Sequence, residues 1–159
     1  KIYSSVHSRI AQKNSLRVDA ERDDRIYGET PVALYRTLTG DGPTFQIPVY
    51  DRIDEAARRG KLKSVELQIE LAHFSLGDEV DVRMDGYELD APVLRSATGE
   101  DANDPSDVDE NSWFVWNLRP ERVDFGIHKI QICLLARDSR IRAPLVVQHV
   151  EIGVCYIEF

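Results

Sequence analysis

Three aromatic residues carry the clearest chemical suggestion in the chain. Trp113 and Trp116 stand three positions apart, and Tyr87 follows the dipeptide Asp85-Gly86. Flat ring faces take the C–H surface of a sugar, while a few fixed polar groups bind its hydroxyls. In an extended strand Trp113 and Trp116 have opposite parity, so one of them faces away from the main core. Tyr87, just past a turn, is expected to be at least partly wet. Tyr87, Trp113 and Trp116 are therefore the candidate ligand-binding residues, with glycan as the candidate ligand. The alternative is that all three fill a core or cover a contact with another domain.

Other chemistries find less support. The acidic stretch 100–110 (E-D-A-N-D-P-S-D-V-D-E) offers enough carboxylates for Ca²⁺. Read as a calcium-binding helix–loop–helix from Asp101, it fails. Ser106 stands where glycine is needed and Ser112 where the closing Glu is needed. A solvated loop is the expectation. His7, His73, His128 and His149 lack the close spacing of local zinc sites. No Gly-x-Ser-x-Gly elbow, dinucleotide fingerprint or phosphate loop occurs, and Ser96 and Ser139 lack any local context for a nucleophile. Cys133 with His128 or His149 could form a nucleophile and base, but Cys133 reads as mid-strand, on a face with Lys129 and Gln131. The paired carboxylates of a glycosidase can always be found among 28 acidic residues, so they decide nothing. No cofactor and no metal are expected.

The elements that must position these residues are mostly strands. The 159 residues suit one domain with a full core. Residues 1–43 read as an irregular N-terminal segment, with short strands possible at 2–6, 15–18 and 32–38, packed on or leading into the main body. Residues 44–159 carry the pattern. Phe45, Ile47 and Val49 alternate with polar or small residues, and Pro48 marks an edge strand. Residues 51–59 read as a short helix with Asp51 as N-cap and Gly60 as its stop. Val65, Leu67, Ile69 and Leu71 alternate against Glu66, Gln68 and Glu70. Val80, Val82 and Met84 lead into Asp85-Gly86, which predicts a type I′ hairpin. Trp113–Leu118 is apolar on both faces, as in a strand paired on both sides. Ile130, Ile132 and Leu134, then Val150, Ile152, Val154 and Tyr156, close the set. With no strand–helix–strand alternation, the prediction is mainly β: an antiparallel two-sheet β-sandwich of jelly-roll type with one short helix near 51–59.

Charge narrows the partners. Lys and Arg number 20 against 28 Asp and Glu, a net charge of −8. Between Asp78 and Glu110 twelve acids face only Arg83 and Arg95, so the remainder is near neutral. Nucleic acid and anionic membrane surfaces are disfavoured as partners. No apolar run approaches the roughly 18 residues of a membrane span. Cys133 and Cys155 are expected to be thiols. Were their segments neighbouring strands turning near 139–142, the two would sit about seven residues out of register, too far for a bridge. The chain opens at Lys1 without a basic-then-apolar leader, which suggests a processed chain or a piece of a longer protein.

The order of elements resembles the galactose-binding-like jelly-roll modules appended to glycoside hydrolases. Val80-Asp-Val-Arg-Met-Asp-Gly-Tyr-Glu-Leu89 is similar to that family's V-x-V-x-x-N/D-G-x-x-L. Phe114–Leu118 followed by Gly126-Ile-His-Lys-Ile-Gln-Ile132 resembles its apolar strand and G-x-N-x-I-x-V, with His128 where Asn is usual. Val150–Tyr156 resembles its closing strand. The likeness covers about residues 44–159. It implies a non-catalytic accessory domain of a larger carbohydrate-active protein, packing on a catalytic domain or weakly binding glycan. In that family sugar sites lie on loops at one end of the sandwich, and many members bind no sugar. No sugar-binding residue carries over by motif. The alternatives are a stand-alone interaction or assembly module and a small jelly-roll enzyme.

Overall fold

The structure is a computed structural model. It describes residues 2–4, 30–37, 42–96 and 111–157, with backbone alone at 2–4, 95 and 96. Among the described residues, ten strands build two antiparallel sheets. The larger sheet has the order β1 (Ile2–Ser4), β10 (Leu145–Tyr156), β4 (Leu62–Ala72), β8 (Ser112–Asn117), β7 (Val93–Ser96), and β2 (Val32–Leu34) also pairs with β10. The smaller has the order β3 (Thr44–Val49), β9 (Gly126–Ala136), β5 (Glu79–Met84), β6 (Tyr87–Glu88). Consecutive strands repeatedly change sheet, and the mainly β, two-layered sandwich predicted from the alternation is the fold.

Period-two patterning fixes which side chains meet between the layers. Leu67, Ile69 and Leu71 from β4, and Val150 and Ile152 from β10, pack inward from the large sheet. Phe45 and Ile47 from β3, with Ile130 and Ile132 from β9, meet them from the small one, all without measurable exposure. Each such burial contributes roughly 1.5–3 kcal/mol. Pro48 lies on β3, which pairs only with β9, so its missing N–H costs no ladder bond. The strands β1 and β2 bring parts of the N-terminal 43 residues onto the edge of β10. The possible strand at 15–18 lies outside the described residues, as does the acidic stretch 100–110.

The helix α1 spans Ile53–Arg58 and ends as expected. Gly60 takes φ +67°, its N–H donates to Ala57 O, and the Lys61 N–H donates to Ala56 O. Its start differs from the sequence reading. Arg52, not Asp51, is the N-cap, and no side chain of its own segment caps it. The cap comes from across the fold: Asp124 Oδ1 accepts the Asp54 N–H at 3.3 Å. Burial works against the charge on Asp124, yet bonds from Phe125, Asp54 and Ile53 N–H groups hold its carboxyl below the ordinary range. Asp51 instead accepts the Tyr156 hydroxyl, joining the helix start to the last strand.

The cysteines are thiols as expected, but not on the neighbouring strands weighed from the sequence. Cys133 lies on β9 and Cys155 on β10, in opposite sheets. Cys133 is mid-strand, as the sequence reading has it, and packed, at 1% exposed. Gly42 passes so close that a Cβ there would sit 3.0 Å from Cys133 Cα and 2.0 Å from Ile132 O.

Candidate functional site

The alternation that buries Leu67, Ile69 and Leu71 also turns Glu66, Gln68 and Glu70 onto the outer face of the large sheet. Register then determines their neighbours. Glu70 is opposite His149 of β10 on one side and Trp113 of β8 on the other. Arg95 of β7 is next in that row by register. One row on, Gln68 lies between Glu151 and Val115, and a further row sets Glu66 between Gly153 and Asn117.

Trp113 is half-buried and His149 exposed. Their rings are parallel, 6° between planes, with centroids 6.4 Å apart. The Glu70 carboxylate is held by the Asn111 amide at 2.8 Å, and Gln68 Nε2 donates to Glu66 Oε2 at 3.1 Å. Burial pushes the Glu151 carboxyl up, His149 opposes that, and Glu70 adds to it. This face therefore combines two flat rings with carboxylate acceptors and amide donors already fixed in place. Such a face can take a C–H surface on its rings and hydroxyl groups on its polar side chains.

The three aromatics nominated from the sequence do not converge. Trp113 is the one placed on this face. Trp116 is corrected to the core: 6% exposed, its indole N–H donates to Asp90 O at 2.6 Å, and its ring meets Phe114 edge-on with centroids 6.1 Å apart. Inward parity next to the Phe114 strand position left no other place for it. Tyr87 is 63% exposed but lies on β6 of the other sheet, with the Arg122 guanidinium 5.2 Å from its ring centre. His149 was not singled out for this role by the sequence. Its outward parity beside Glu151 was visible, but the register that places it across Glu70 from Trp113 was not.

Tyr87 belongs to a different surface. Tyr50, Tyr87, Phe125 and Ile127 are each more than half exposed at the end of the small sheet. Arg52 lies over the Phe125 ring at 5.9 Å.

A third cluster is structural. Asp78 accepts the Ser75 N–H at 2.9 Å and the Asp138 N–H at 2.6 Å, and pairs with Arg137. Arg137 also donates to His73 O and Ala143 O. Asp138 takes bonds from Arg140 and from Ser75 Oγ, which hold its carboxyl far below the usual range. These bonds tie the β4–β5 turn to the β9–β10 turn, and the carboxylates are occupied in doing so.

The remaining candidates are not assembled. Cys133 is buried in the small sheet, while His149 lies on the outer face of the large one. His128 has its ring nitrogens engaged by Asp85 and Asp124. Among the described residues no group of three or more His, Cys, Asp or Glu is placed to hold a metal ion. Nor is any described helix long and apolar enough to cross a membrane. Compared with known proteins, the chain matches no family model, no curated protein and no solved structure.

Proposed function

We propose that the chain is a non-catalytic β-sandwich module of a larger carbohydrate-active protein, and that it binds glycan on the outer face of its large sheet. The observation that carries this reading is the parallel pair Trp113 and His149 flanking Glu70, whose carboxylate Asn111 fixes. Rigid rings and pre-paired polar groups lower the ordering cost of binding, which suits a weak, sequence-tolerant hold on a polysaccharide. The overall charge of −8 favours a neutral ligand over a polyphosphate. The test is retention on a panel of immobilised neutral polysaccharides. Trp113→Ala abolishes retention and Tyr87→Ala leaves it intact. Equal retention by the Trp113→Ala protein contradicts the proposal.

A second reading, packing on an adjacent catalytic domain, draws on the exposed Tyr50, Tyr87, Phe125 and Ile127. In that case a protein carrying Phe125→Ser and Ile127→Ser keeps its glycan binding. It loses the added thermal stability that the neighbouring domain confers when the two are expressed together.

A further inference from the structure

We propose that His128 is a proton-operated clasp that holds the β5–β6 hairpin against the corner at Asp124, and with it the shape of the apolar end of the sandwich. The geometry carries this. His128 Nδ1 lies 2.7 Å from Asp85 Oδ2, and Nε2 lies 2.6 Å from the backbone oxygen of Asp124. At neutral pH both partners are acceptors only. A neutral imidazole has one N–H, so one of the two contacts would set lone pair against lone pair. The imidazolium donates to both.

The clasp reaches three elements. Asp85 is the first residue of the hairpin turn, at φ +52°, and its Oδ1 also accepts the Lys129 N–H at 2.8 Å. Asp124 caps α1 through the Asp54 N–H. Tyr87 lies two residues beyond Asp85 and Phe125 one beyond Asp124, so the bond pair joins the two segments that carry these exposed rings. The charged groups around His128 are the carboxylates of Asp85 and Asp124. Farther out are Arg52, which acts on Asp124, and Arg122, over Tyr87. Burial favours the neutral imidazole, but the bonds to Asp85 and to the Asp124 carbonyl, with both carboxylate charges, outweigh it and raise the His128 pKa. A raised native pKa means that the stabilisation is complete below the unfolded value of about 6.5 and is lost as pH rises through the native one. The clasp is thus shut below the unfolded value and opens as pH rises through the raised native one.

The experiment is a nitrogen-detected NMR titration of the histidines, in the native chain and in urea. The expected result is a native His128 that titrates above its value in urea and carries a proton on both ring nitrogens on the acid side of that titration. Exchange of the Lys129 amide, corrected for base catalysis, should rise roughly tenfold across that titration, the ratio corresponding to one hydrogen bond. His128→Gln, which offers one donor and one acceptor, should abolish the step. A native His128 that titrates at or below its urea value, or a Lys129 amide whose exchange does not change across the titration, overturns the proposal. The wild-type titration decides the matter even if the variant fails to fold.

Discussion

Replacing Trp116 with Phe separates the buried aromatic from the surface one. The indole N–H bonds Asp90 O at 2.6 Å, and the ring is 6% exposed between Phe114 and the facing layer. Phenylalanine keeps the six-membered ring and removes the donor and the atoms of the fused five-membered ring. The lost bond and its unsatisfied acceptor cost about 1 kcal/mol, and the incompletely collapsed space about 1–2 kcal/mol more. A total of about 2–3 kcal/mol lowers the melting temperature of a domain this size by roughly 5–10 °C. Thermal unfolding followed by circular dichroism measures it, with guanidinium titration as a check that the slope is unchanged. The same change at Trp113, which packs no core, costs under about 0.5 kcal/mol. A Trp116→Phe protein melting within about 1 °C of the wild type would refute the assignment of this ring to the core.

Three further outcomes follow from the same geometry. Asp78→Ala leaves the Ser75 and Asp138 N–H groups without their acceptor and Arg137 with its two carbonyl partners alone, and should cost about 2–4 kcal/mol in chemical denaturation. A loss below about 1 kcal/mol would mean that the polar tie between the two turns is not formed. Gly42→Ala drives a Cβ to 2.0 Å from Ile132 O, so backbone must move; about 1–3 kcal/mol of destabilisation is expected from the same assay. Burial first, and then the bond to Asp51, push the Tyr156 phenol up to about 12. Its contribution is complete below pH about 10 and is lost as pH rises through the native value. Tyr156→Phe should therefore flatten the fall in melting temperature between pH about 10 and 12, and an unchanged slope would count against the bond.

The fold was legible because burial on one side of a strand writes itself in the sequence. Val65 to Leu71 and Val150 to Tyr156 show the period directly, and Asp85-Gly86 announces its turn through two residues that tolerate positive φ. The site was legible only by halves. Parity told that one of Trp113 and Trp116 must leave the core, but not which one. Local pattern gives no register, so nothing placed His149 beside Glu70. The helix start misled for a similar reason: Asp51 has the right chemistry and position for a cap, yet the last strand supplies a competing donor in Tyr156, and Asp124 supplies the cap. His128 was visible as a departure from the usual Asn. Its role needed the two acceptors that only tertiary structure brings together.

The account centres on the outer face of the large sheet as the ligand surface. The most direct measurement is backbone and indole amide NMR of the labelled protein during titration with a soluble fragment of whichever neutral polysaccharide retains it. Saturable shifts at Trp113, Gln68, Glu70, His149 and Glu151, with the Tyr87 hairpin silent, are the predicted result. Shifts confined to Tyr87, Phe125 and Ile127 would place the ligand at the other surface and contradict the account.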